Sequence, residues 1–407
     1  MSAFGALRLP RTILFGNGQR GAIGTTAARI GARALICTDA RLAATPEFAT
    51  ILADLHDAGV VFQVYDQTAP DLPIESINEC VEQVKGFAAD LVIGIGGGSC
   101  MDLAKVVAVL LTHGGDVRRY YGEFAVPGPV MPLIAVPTTA GTGSEVTPVA
   151  VVADSERGAK VGIASPYLIP VAAICDPDLT MSCPPALTAC SGADALTHAI
   201  EAFTTAARPS DPRLTEEHVF VGKNLLSDHF ARLAVFNLFR YLTRAYRDGS
   251  DREARRGVML AALAAGCAFG TAGTAAAHAL QYPVGNRTHT AHGDGVAALL
   301  PFVMQYNRSA RVEAFAELAR TIGLADGDDE SLSQRFVDEV AALLASVGIP
   351  RSLKELGLAE GDKDYVAEAG LAATRLVKNN PRPLDLAAMR AITYAAFDGD
   401  REVLRDA

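Results

Sequence analysis

Up to about residue 180 the apolar positions follow two alternating patterns. Short runs rich in β-branched and aromatic residues, at 32–38, 60–65, 91–95 and 133–136, read as strands, while 46–58, 74–85 and 99–112 between them have helical spacing. Such alternation predicts a parallel sheet with helices on both faces, an α/β fold of the Rossmann-like kind. Beyond Asp176-Pro177-Asp178 the strand signal almost vanishes. From Pro184 the spacing is helical, over 186–204, 224–247, 251–270, 309–322, 331–347, 361–378 and 384–396. The chain is therefore expected to divide near 180, into an α/β domain over 1–180 and an all-helical domain over 181–407. One run of 21 uncharged residues, 257–277, is long enough to cross a bilayer. It is mostly Ala and Gly and runs directly into His278, so it is read as a packed interior helix and no membrane partner is expected.

Composition narrows the function classes. With 407 residues, half of them hydrophobic, there is material for two or three cores and no case for disorder. The charge of 36 − 46 = −10 comes without a cationic run, which argues against a nucleic-acid partner. No basic segment followed by an apolar one opens the chain, so no signal peptide is expected. Seven cysteines without a Cys-x-x-Cys pair read as buried thiols of a cytoplasmic protein.

Three segments of the first half have the chemistry of a dinucleotide site. Residues 89–111 read as a buried strand, a turn at Gly96-Gly97-Gly98, Ser99 as N-cap, and a helix with Lys105 in its first turns. Helix N–H groups and missing Cβ atoms suit a pyrophosphate, although glycines also serve plain tight turns, and neither G-x-G-x-x-G nor a P-loop is present. Asp39 ends the first clear strand, where a carboxylate either caps a helix or accepts from a ribose; in the second case it favours NAD over NADP. Residues 136–147 carry four threonines, a serine and two glycines straight after an apolar strand, where open α/β sheets bind ligands.

A metal set stands in the second half. Asp194 and His198 are four apart, hence on one helix face; His278 is read as ending the neutral helix, and His292 as following after a Pro-Gly loop. Three imidazoles and a carboxylate suit Fe(II) or Zn(II) better than Mg or Ca, and leave room for a substrate oxygen. His218 and His229 lack neighbouring ligand types and read as surface or interface residues.

GGGSCMDLAK, VPTTAGTGSEVTP, DALTHAIEAF and HALQYPVG followed by AHG occur in that order, and with them the chain resembles the iron-containing, or group III, alcohol dehydrogenase family over about residues 5–400. The resemblance implies a Rossmann-like domain plus an all-α domain, as in dehydroquinate synthase, with NAD and metal in a cleft. It implies Asp194, His198, His278 and His292 as ligands, and Gly97, Gly98, Ser99, Asp102, Thr138, Thr139, Thr147, Lys160 and Leu179, with Asp39, around the dinucleotide. The implied activity is hydride transfer between a metal-bound small alcohol and nicotinamide in a cytoplasmic homodimer. Two departures stand out. Many members carry a histidine, often discussed as a proton relay, where this chain has Tyr282; His289 is a nearby substitute or simply exposed, and residues 208–229 are longer than the usual connection. The alternatives are a hydroxyacid-oxoacid transhydrogenase with retained NAD and a dehydroquinate synthase-like lyase; both need cations for an anionic substrate, and the motifs are poor in them.

Overall fold

The computed structural model describes residues 4–405, which form two compact units: one of residues 8–182 and 216–219, the other of residues 4–7, 183–215 and 220–405. The first contains, in order, β1 (Thr12–Phe15), α1 (Ile23–Ala28), β2 (Arg33–Cys37), α2 (Ala40–Ala43), α3 (Pro46–Asp57), β3 (Val61–Tyr65), α4 (Ile74–Gln83), β4 (Leu91–Gly96), α5 (Gly98–His113), β5 (Gly122–Glu123), β6 (Leu133–Pro137), β7 (Val149–Asp154), β8 (Ala159–Ala164) and β9 (Ala172–Cys175). Six of these strands form a wholly parallel sheet in the order β1-β9-β6-β4-β2-β3. Every residue of β4 and β6 is buried, as expected of parallel strands covered on both faces. One face packs Leu35, Val92, Leu103 and Val107 together, the other Ile36, Ile93, Ile134, Ile51 and Leu55. After β3 the chain returns to the far side of β2 to form β4. The strand order therefore reverses between β2 and β4, the switch point outside which such sheets bind ligands.

Five strands of this unit, β1, β5, β7, β8 and β9, escape the hydrophobic pattern. β1 and β9 are four residues each, too short for a periodicity to register, and β7 pairs antiparallel with β8 in a small second sheet.

The second unit is helical: α6 (Pro185–Thr204), α7 (Leu214–Glu217, its last two residues falling in the first unit), α8 (Leu225–Arg247), α9 (Arg252–Ala272), α10 (Ala276–Thr288), α11 (His292–Asn307), α12 (Val312–Thr321), α13 (Asp329–Ser346), α14 (Lys363–Leu371), α15 (Thr374–Asn379) and α16 (Leu386–Asp398). The predicted helix 361–378 is two helices, α14 and α15, with no Gly or Pro between them to announce the break. The uncharged run 257–277 is also not one helix. α9 stops at Ala272, Gly273 takes φ 83°, and the chain turns through 104° into α10. His278 thus lies in the first turn of a new helix, and the Pro-Gly pair expected to form a loop is inside that helix, with Pro283 buried. A positive φ at glycine and the side-chain amide of Asn379, which donates to Ala272 O and Thr274 O at 3.0 Å each, make the corner. No single described helix is long and apolar enough to cross a membrane.

Candidate metal centre and dinucleotide site

On α6 three polar residues share a face that is otherwise buried among alanines. Asp194, His198 and Glu201 stand at i, i+4 and i+7, and each is at most 5% exposed. Asp194 Oδ1 lies 3.7 Å from His198 Nε2, 4.0 Å from His278 Nε2 and 3.8 Å from His292 Nε2. Ligand atoms of Asp194, His278 and His292 all fall within 4.8 Å of one another. These separations exceed hydrogen bonds. They are close to the roughly 3.4 Å expected between donors held about 2.1 Å from a common tetrahedral centre. His198 is stacked between Phe269, with centroids 4.1 Å apart, and His278, at 4.8 Å.

His278 is oriented from behind. Its Nδ1 is 2.6 Å from Glu201 Oε2, while Glu201 also accepts from Ala275 N at 2.9 Å and Ala277 N at 2.8 Å. Burial alone would raise the Glu201 carboxyl, but the neighbouring His278 and these bonds prevail and hold it below its ordinary value. An ionised Glu201 accepts a hydrogen bond from Nδ1–H of a neutral His278, which leaves the Nε2 lone pair free to bind a metal. Nε2 is buried and has no hydrogen-bond partner among the described residues, an orphan a metal would satisfy. The donor set therefore fits a divalent iron or zinc ion. Glu201 was not foreseen from sequence, although its i+7 spacing from Asp194 was available.

α11 delivers His292 by close approach to α6. A Cβ on Gly293 would stand 2.2 Å from Cys190 O, so only glycine allows this contact. Tyr282 is partly buried and its ring lies over that of His292, centroids 6.2 Å apart and planes 21° apart. His289 is exposed, and ends α10 in the left-handed conformation at φ 55°.

In the other unit Asp39, Gly97, Gly98, Ser99, Thr138 and Thr139 follow the carboxyl ends of β2, β4 and β6, whereas Lys160 and Leu179 lie elsewhere. Asp39 caps α2, its Oδ1 accepting from Leu42 N at 2.9 Å, while Oδ2 lies 3.8 Å from where a Cβ of Gly96 would be. Of its two possible roles the capping one is seen, and Oδ2, the oxygen left for a ribose, accepts weakly from Cys100 Sγ at 3.9 Å. The helix after the turn begins two residues earlier than an N-cap at Ser99 implies: Gly97 is the N-cap and offers no side chain to it, so Ser99 lies inside the first turn. A Cβ on Gly96 (φ 150°) would meet Cys100 Sγ at 2.5 Å, and one on Gly98 would meet Thr142 Cγ2 at 2.7 Å. Thr138 N donates to Gly96 O at 2.9 Å, so the glycine turn and the threonine segment touch.

Asp102 and Thr147 do structural work here. Asp102 accepts from Ser144 Oγ at 2.6 Å and Val151 N at 2.8 Å, and Thr147 Oγ1 accepts from Lys105 Nζ at 3.2 Å. Thr138 is buried at 3% exposure. Lys160, on β8, is tied to Asp71 at 2.6 Å, and Leu179 is packed with Ile134, Val136 and Ile174 in the core. Burial pulls the fully enclosed Lys105 down to about 8 and pushes Glu145 up to about 7.

Residues 10–177 match the family described as "Iron-containing alcohol dehydrogenase", and residues 188–397 match "Fe-containing alcohol dehydrogenase family, C-terminal". Long-chain-alcohol dehydrogenase 1 of Geobacillus thermodenitrificans is 37% identical over 91% of this chain and 91% of its own length. 1,3-Propanediol dehydrogenase of Klebsiella pneumoniae is 32% identical over 96% of this chain and 98% of its own. Among solved structures, a 1,3-propanediol oxidoreductase superposes with a TM-score of 0.89 at 31% identity, covering 97% of this chain and 100% of the other.

Proposed function

Because the chain belongs to the iron-containing alcohol dehydrogenase family and is an oxidoreductase of alcohols, we propose that it moves a hydride between a small alcohol at the Asp194, His198, His278 and His292 centre and NAD. When bound, a divalent iron or zinc ion would supply the Lewis acid that acidifies the alcohol, and NAD the hydride acceptor. The protein's own part is positional. Glu201 fixes the His278 tautomer, Phe269 and His278 hold His198 between them, and Asp194, His198 and His278 are buried while His292 stays partly exposed. Asp39 would accept from the adenosine ribose and repel a 2′-phosphate, and Tyr282 would stand over the proton path beside His292. The observation that carries this reading is the convergence of three Nε2 atoms on Asp194 Oδ1 within 4.0 Å.

The test is steady NADH formation at 340 nm with simple alcohols, after chelation and after reconstitution with Fe(II) or Zn(II). Activity should vanish on chelation and return with metal. Full activity in the chelated protein would sink the metal centre, and substrate turnover without net NADH would favour a transhydrogenase.

A further inference from the structure

Lys105 lies wholly inside the α/β unit, at 0% exposure, which is rare for an ammonium unless its protons are all claimed. Nζ donates to Val149 O at 2.8 Å, Thr147 O and Ser144 Oγ at 2.9 Å, and Thr147 Oγ1 at 3.2 Å. Three N–H bonds serve four acceptors, so one is shared. Ser144 Oγ donates in turn to Asp102 Oδ1 at 2.6 Å, and Asp102 Oδ2 accepts from Val151 N at 2.8 Å. Lys105 and Asp102 are both on α5, whose first residue, Gly98, is packed against Thr142 two residues before Ser144. The network thus fastens residues 144–151 to the helix that begins at the glycine turn, immediately beyond the place where turn and threonine segment touch.

We propose that Lys105 is a positioning residue for the dinucleotide: through Ser144 and Asp102 it fixes the threonine segment against the Gly96–Gly98 turn, and so sets the gap that receives the pyrophosphate. This rests on the reading that NAD binds at that turn. Lys105 never touches the cofactor. Asp102 on its own helix and Glu145 on the facing segment are the charged groups that act on it, so its ammonium also offsets buried negative charge near an anion site.

The test is the NADH dissociation constant, read by fluorescence, beside kcat at saturating NAD and metal content, for wild type, Lys105→Met and Ser144→Ala. Lys105→Met should weaken NADH at least about tenfold, the scale of a lost charged hydrogen bond, with kcat within about twofold and metal content unchanged. Ser144→Ala, which keeps the ammonium and removes only the bridge, should weaken it about threefold. Wild-type NADH affinity should also fall as pH rises through about 8, where Lys105 loses its charge, and this dependence should be absent in Lys105→Met. Unchanged affinity in a folded Lys105→Met protein overturns the inference, as does a fall in kcat at unchanged affinity. If Lys105→Met does not fold, Ser144→Ala decides, and unchanged affinity there overturns it. No NADH binding by wild type would instead overturn the cofactor reading beneath it.

Discussion

Tyr282 is the residue at which this chain leaves its family's usual pattern, and its surroundings set what it can do. Its ring lies over His292, and a phenol ordinarily keeps its proton until about pH 10, well above the range in which an imidazole exchanges one. A hydroxyl acidified by a divalent metal ionises near neutrality without such help. Tyr282→Phe is therefore expected to leave kcat within about threefold and to change mainly KM for the alcohol, measured by initial rates at equal metal content. A fall of about 100-fold would make the phenol part of the proton path. Glu201 is the contrasting case. It would touch no metal, yet by holding Nδ1 of His278 it decides which nitrogen faces Asp194.

Among the elements, the approach of α11 to α6 has the narrowest tolerance. Gly293 is packed on Cys190 O more closely than any Cβ permits, and it is the residue after His292. Gly293→Ala should push the start of α11 away from α6, draw His292 off Asp194, and lower metal affinity about tenfold or more while the α/β unit keeps its dinucleotide affinity. Metal titration alongside NADH titration checks both halves, and normal metal binding would show that α11 shifts without consequence. What the sequence made legible follows from the same packing. Asp194 and His198 advertised themselves because a helix of period 3.6 puts i and i+4 together, and the buried strands β4 and β6 because they are unbroken apolar runs. The corner at Gly273 did not. A run of Ala and Gly reads as continuous helix, and the amide that turns it belongs to Asn379, far along the chain. Lys105 was named with the glycine turn, but its burial was not legible: it lies on the third turn of α5, and its four acceptors come from the distant residues 144–149.

For the whole molecule, the two sets of candidates lie in different units: the metal ligands among residues 183–215 and 220–405, the glycine turn, Asp39 and the threonine segment among residues 8–182. A ligand stabilises whatever it binds only in the folded form. Hydrogen exchange should therefore show Zn(II) or Fe(II) protecting α6, α10 and α11, and NAD protecting α5 and the segment after β6, each with little effect on the other set when added alone. Equal protection of both sets by metal alone would mean that the units do not respond separately. The corner at Gly273 has a further consequence, in time. Asn379 is 107 residues beyond Ala272, so in order of synthesis all four metal-site side chains emerge before the amide that clamps the turn in front of His278. A nascent chain that has reached α11 holds every donor and lacks the brace that aims one of them. A chain ending before Asn379 is therefore expected to bind Zn(II) more weakly than the full polypeptide, which metal titration of the two would check.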